Sequence, residues 1–198
     1  IPAHVRPWFL GGRLIALGKD GDRPDGEVHE RKLRPIAIGS TIGRAVSMIA
    51  AHQHRLPFAS YLQPPPPGSA APSHQPCGAP WPIQAWRCLP PSGLEFVTHT
   101  IRATLDEHPD WVDVSIDIRN AFNSIHRRSF LSVIAARFPG LWRWAITGYG
   151  APSELYVRRD GLPPEVVMSL CGTRQSDPLG AQFFALGLHP ILCALAAL

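Results

Sequence analysis

The run Gln63-Pro64-Pro65-Pro66-Pro67-Gly68-Ser69-Ala70-Ala71-Pro72, and the Pro/Trp-rich stretch that follows it to Pro91, sets the first limit on this fold. Proline has no backbone N–H and a fixed φ, so consecutive prolines neither pair in a sheet nor continue a helix. Residues 62–91 therefore read as a loop or insert of polyproline character, a spacer between two flanks that carry the regular structure. With 198 residues the chain can bury one sizeable core, or part of a larger one. It begins at Ile1 and stops inside an apolar run, so both ends are expected to be cut points.

In the first flank, Phe9 to Leu17 reads as an extended segment interrupted by Gly11-Gly12. A charged, turn-rich loop follows from Gly18 to Gly26, and Leu33-Arg34-Pro35-Ile36-Ala37-Ile38 resumes as a strand. The pair predicts a β-hairpin with Pro35 on an edge. Ser40-Thr41 caps a helix expected to turn Ile42, Val46, Ile49 and Ala50 to one side. Gly18-Lys19 lacks the G-x-x-x-x-G-K-[ST] frame, which excludes a P-loop.

The second flank opens with the capping box Ser92-Gly93-Leu94-Glu95 and an amphipathic helix through Val97, Ile101 and Leu105, ending by Pro109. Val112, Val114 and Ile116 then alternate with Asp113, Ser115 and Asp117, the period of a half-buried strand. On the residues alone, Asp117 serves equally as an exposed turn residue or as a carboxylate delivered to a site. Arg127 to Phe138 is predicted as a helix stopped by Pro139-Gly140, and Leu141 to Tyr149 as a second, Trp-rich one. Leu155 to Arg159 and Glu165 to Met168 flank Asp160-Gly161 as a hairpin. Asp177 caps a helix with Pro178 at its first position. Gln175 is not needed for that start, which makes it the better functional candidate.

Charge and cysteine usage narrow the function class only mildly. The net charge is +4, and residues 1–59 hold nine Lys/Arg against five Asp/Glu, so the whole excess sits there. That suits a polyanionic partner and equally an ordinary solvated face. Cys77, Cys88, Cys171 and Cys193 show neither C-x-x-C spacing nor a compact secreted framework, which points to a reduced intracellular setting, nuclear or cytoplasmic. His52 and His54 have no partners at zinc-site spacing and read as helix-surface residues. No N-terminal signal segment is visible. Leu179 to Leu198 has the length of a bilayer span, but Gln182, His189 and Pro190 interrupt it, and a helix buried on most sides has the same composition.

Two stretches together resemble the polymerase motifs of reverse transcriptases, most nearly those of non-LTR retroelements. Asp117…Ala121-Phe122 resembles the metal-carboxylate motif Asp-x-x-x-Ala-Phe. Gly172-Thr173-Arg174-Gln175-Ser176-Asp177-Pro178-Leu179 resembles Gly-x-x-Gln-Gly-Asp-Pro-Leu. The first hairpin is similar to the Lys-x-Gly…Arg-Pro-Ile fingers hairpin, and the resemblance runs from about Leu14 to the last residue, with the Pro-rich interruption. It implies an α+β right-hand polymerase: fingers hairpin and helix over 1–61, first palm segment over 92–125, second fingers segment with the Gln175 loop over 126–177, and a palm helix over 178–198. The activity implied is RNA-directed DNA polymerisation, with an RNA template, a DNA primer, dNTPs and Mg²⁺, and no membrane.

By the same resemblance Asp117 is catalytic and, with Ile118, binds metal. Lys19, Arg34, Ala121, Phe122 and Gln175 handle the nucleotide, Phe122 standing where a ring excludes a 2′ hydroxyl. Lys19 and Arg34 otherwise read as solvated charges on a hairpin. The strand ending at Asp117 is expected to bury Val112, Val114 or Ile116 against Phe183, Leu186 or Leu188. Two departures stand out. Ser176 replaces the usual Gly, adding a side chain where backbone is expected to approach the nucleotide, and only Pro90-Pro91-Ser92-Gly93 remains of a Gly-rich segment before the first palm helix. The Tyr-x-Asp-Asp hairpin expected to supply the remaining carboxylates is not in the 198 residues, so the chain is expected to be inactive alone. Other readings are a non-catalytic nucleic-acid-binding remnant and a small membrane-associated protein.

Overall fold

The computed structural model describes residues 2, 4–5, 9–18, 33–62, 93–114 and 118–196. The two hairpins implied by the sequence both form. β1 (Gly12–Gly18) and β2 (Leu33–Gly39) pair antiparallel from Gly12↔Gly39 to Gly18↔Leu33. β3 (Ser153–Val157) and β4 (Glu165–Ser169) pair from Ser153↔Ser169 to Val157↔Glu165. A short parallel seam, Gly12↔Leu155 and Arg13↔Tyr156, joins them into one sheet of order β2-β1-β3-β4. Pro35 therefore lies on an edge, where its missing N–H costs no ladder bond.

Seven helices complete a mixed α+β architecture among the described residues: α1 (Thr41–Gln53), α2 (Arg55–Leu62), α3 (Gly93–Glu107), α4 (Ala121–Ser124), α5 (Arg127–Arg137), α6 (Pro139–Tyr149) and α7 (Gly180–Ala196). Ser40 caps α1, its hydroxyl oxygen accepting from the Gly43 N–H at 3.1 Å while it donates to the Phe9 carbonyl at 2.9 Å. Pro139 does not end the helical region. Its preset φ opens α6 directly after Phe138, so the expected stop is a corner between two helices.

The core lies where α5, α6 and α7 meet, with Phe58 and Leu62 of α2 against them. Phe130 stacks on Phe183 at 5.5 Å, and Tyr149 meets both rings edge-on at 5.5 Å. Such offset and T-shaped pairs add to the burial of large rings. Gly187 lets α7 approach closely, since a Cβ there would stand 2.6 Å from Ile125 Cδ1. Phe183, Phe184, Ala185 and Leu186 are all buried, the environment expected of so apolar a helix. Pro190 sits exposed within the same helix. None of the described helices is long and apolar enough to cross a membrane.

Three expectations are corrected. Residues 111–114 form no strand, and Val112 and Val114 are 83% and 73% exposed, so neither is buried against Phe183, Leu186 or Leu188. Ser115, Ile116 and Asp117 lie outside the described residues. Alternation makes a strand only where a segment meets an edge that supplies hydrogen bonds, and residues 111–114 join neither open edge of the described sheet, β2 or β4. Second, Ile42, Val46 and Ile49 of α1 face outward. Ser47 is the buried residue instead, accepting a hydrogen bond from Trp144 Nε1 at 3.1 Å. Periodicity shows which residues share a helix face but not which face turns inward; here the inward side carries Ser47, with Ala50 and Ala51 packed against the core. Third, Leu62 belongs to α2 and is buried, so the Pro-rich stretch begins after it; residues 63–92, including the Ser92 cap, lie outside the described residues. One further expectation is met: α3 ends at Glu107, ahead of Pro109. His54 is half-buried at the end of α1, with Nδ1 3.0 Å from the Ala50 carbonyl oxygen.

Urea denaturation separates core from surface. Phe183→Ala should cost about 3–5 kcal/mol, whereas Ile42→Ala on the outward face should stay within about 0.5 kcal/mol.

His189 gives the fold an acid limit. It is buried on α7 against the Tyr61 ring, with Cys193 Sγ 3.5 Å from Nε2, and burial holds its pKa below the ordinary value. Above about pH 6.5 neither folded nor unfolded state binds this proton; below it the unfolded chain does so first, so stability falls as pH drops toward the folded-state pKa. Thermal unfolding between pH 7.5 and pH 5.5 should show this loss, and His189→Gln should flatten the slope.

Candidate functional site

The segment around Phe122 and the loop before Gln175 are far apart in sequence and adjacent in space. Asn120, at φ 51°, turns the chain into α4. The Ile118 carbonyl accepts from the Ala121 N–H at 3.3 Å, and Ile118 itself is exposed. Ala121 and Phe122 are half-buried, and the Phe122 ring stacks on Phe184 of α7 at 4.9 Å. Thr173 N–H then donates to the Phe122 carbonyl at 2.6 Å and Gly172 N–H to the Ile125 carbonyl at 2.9 Å, while the Cys171 thiol donates to the Asn123 carbonyl at 3.2 Å. Gly172 has φ +75°, and a Cβ on it would lie 2.5 Å from Asn123 Cα. Only glycine satisfies both the left-handed backbone and the close approach.

The other end of the loop is tied to the sheet. The Ser176 hydroxyl donates to the Ala37 carbonyl of β2, the strand whose backbone also carries Arg34. The added side chain that departs from the usual motif thus bonds the loop to the first hairpin. Gln175 stands exposed between these anchors, its amide presented to solvent. Asp177 accepts from Leu179 N–H at 3.0 Å, capping the turn ahead of α7, which begins at Gly180 rather than Pro178.

Beneath the loop runs a charged network that sequence reasoning missed. Arg127, buried at the start of α5, donates from Nε to Gly172 O (3.2 Å), from Nη1 to Ala151 O (3.1 Å), and from Nη2 to Ser169 Oγ (2.7 Å) and Cys171 O (3.3 Å). Arg174 donates from Nη2 to Ser153 Oγ at 2.7 Å. Both guanidinium carbons lie near the Tyr149 ring centroid, at 5.6 and 5.7 Å. Tyr149 donates to Asp177 Oδ2 at 2.6 Å. Burial, reinforced by the Asp177 charge, holds the Tyr149 hydroxyl well above its usual pKa, so it remains a donor. Burial also lowers the Arg127 pKa, and the Arg174 charge lowers it further. The available signal was the Arg127-Arg128 pair in a first helical turn with no acidic residue. Cations there oppose the helix dipole, so a partner elsewhere has to hold them.

Neither a protein-family model nor a curated protein matches this chain. Of the candidate residues, the structure brings together Ala121, Phe122 and the Gln175 loop, with the backbone of Arg34 in the adjoining strand. The Arg34 side chain, Lys19 and Asp117 lie outside the description. No group of three His, Cys, Asp or Glu side chains suited to a metal occurs among the described residues. The chemical resource of the site is an exposed Gln175 on a loop whose root is bonded to the Phe122 segment, whose ring stacks on Phe184.

Gly161 and Gly172 share nearly the same φ, +72° and +75°, but a Cβ on Gly161 would meet nothing within 4 Å. Gly161→Ala should therefore cost only the left-handed penalty of about 1–2 kcal/mol. Gly172→Ala should cost clearly more in chemical denaturation, because Asn123 must also move.

Proposed function

We propose that this chain is part of an RNA-directed DNA polymerase that extends a DNA primer with dNTPs on an RNA template, built as the fingers and first palm segment of a right-hand fold. The observation that carries the reading is the direct hydrogen bonding of the Phe122 segment to Gly172 and Thr173 at the root of the Gln175 loop. These are the two stretches that resemble polymerase motifs, and such motifs act on one nucleotide. Stacking on Phe184 supports Phe122 as a wall beside the sugar, and Ala121 lines the same turn. Gln175 contacts nucleotide or template, with Lys19 and Arg34 toward the triphosphate.

The Asp117 carboxylate and the Ile118 carbonyl are hard oxygen donors of the kind Mg²⁺ takes. They fit one part of a two-metal centre, which needs more than one carboxylate. When bound, Mg²⁺ would activate the primer hydroxyl and neutralise developing phosphate charge. The protein's own share is to hold the Phe122 ring against Phe184 and to tie the root of the Gln175 loop to the same segment.

Primer extension tests the reading. The 198-residue chain should give none above background. Joined to a segment bearing Tyr-x-Asp-Asp, it should extend a primer on RNA, and Asp117→Asn should lower that rate by about three orders of magnitude or more with the fold intact. Phe122→Ala should raise ribonucleotide use relative to dNTPs. Near-normal extension by Asp117→Asn would remove the assignment.

A further inference from the structure

Among the described strands the sheet has two edges, β2 and β4, and they differ in protection. On β2, Pro35 breaks the row of backbone donors. On β4 the sequence is Glu165-Val166-Val167-Met168-Ser169, with no proline, lysine or arginine. β4 pairs with β3 on one side, so alternate N–H and C=O groups face outward on the other. Its side chains are about half exposed on both faces: Val166 is 50% exposed, Val167 38% and Met168 47%, and Leu170 just beyond is 67% exposed. Folded proteins usually blunt such an edge with charge, proline or a bulge, because it is a ready template for another strand.

We propose that β4 pairs antiparallel with β4 of a second copy of this chain, about a two-fold axis at Val167, to give one sheet continuous across both copies. The strand is self-complementary in that register. Val166 faces Met168 of the second copy, Val167 faces its counterpart, and Leu170 comes into line with Pro164. Glu165 is the one ionisable residue of β4; it faces Ser169 and is already paired within its own hairpin to Arg159 at 2.6 Å. No like charges meet, and apolar cross-strand pairs are the unit of stabilisation in a sheet. The contact is isologous and closes on itself, so it makes a dimer and not a fibre. It is also small, which makes the dimer weak and concentration-dependent.

Sedimentation equilibrium across about two decades of concentration tests this, in the micromolar-to-millimolar range suited to so small an interface. The expected result is a monomer–dimer equilibrium, with hydrogen exchange of the β4 amides slowing as concentration rises. Val166→Lys with Met168→Lys sets lysines opposite one another and should weaken dimerisation about tenfold or more, with circular dichroism and melting temperature unchanged because both positions are half exposed. The matching double Glu variant should also be monomeric alone, and mixing the two should restore dimers. A monomer at every concentration, a dimer that survives the lysines, or a monomer to which only an unrelated extended peptide adds at β4 would each overturn the second-copy assignment.

Discussion

The Arg127 guanidinium holds the site together. One buried cation donates to the carbonyls of Ala151, Cys171 and Gly172 and to the Ser169 hydroxyl, which belong to the turn after α6, the end of β4 and the root of the Gln175 loop. Those segments carry backbone acceptors with no helix or sheet to satisfy them, and a buried carbonyl left without a donor costs more than a made bond returns. The planar five-donor fork of arginine reaches several of them at once, which a lysine ammonium does not. With no carboxylate among its hydrogen-bond partners, the Arg127 charge is balanced by aligned carbonyl dipoles and by the face of Tyr149.

From that anchor the rest of the arrangement follows. Tyr149 is at once a core ring against Phe130 and Phe183 and the donor that fixes Asp177. Asp177 in turn caps the turn that launches α7, and α7 supplies Phe184 beneath Phe122. Hydrophobic core, helix start and candidate site are therefore one connected structure. Tyr149 thus touches both the Gln175 loop, through Asp177 and the Arg174 N–H, and the core rings of Phe130 and Phe183.

Much of this was legible in the sequence, and the exceptions have physical causes. Elements whose partners lie nearby in the chain were readable: the Pro35 edge strand, the Ser40 cap, the Asp160-Gly161 hairpin, and the Phe130/Ile134 face of α5. The failures concern choices made elsewhere in the fold. Val112 and Val114 alternate as a strand does, but they join neither edge of the described sheet and stand exposed. The outward Ile42 and Ile49 share a face, but the face that meets the core carries Ser47, Ala50 and Ala51. Arg127 was passed over because its acceptors are backbone atoms distant in sequence, which no side-chain motif records. At Ser176 a departure from a motif was legible, but its hydrogen bond to Ala37 was not.

The seam between the hairpins carries one more consequence. Among the described residues only Gly12↔Leu155 and Arg13↔Tyr156 join them, partners 143 positions apart in the chain. Each hairpin closes over a far shorter stretch, so both form before the seam repays the entropy of its long loop. The assembled sheet is thus a late product of folding, and the Ser176–Ala37 bond that spans the same divide acts as the latch that completes it.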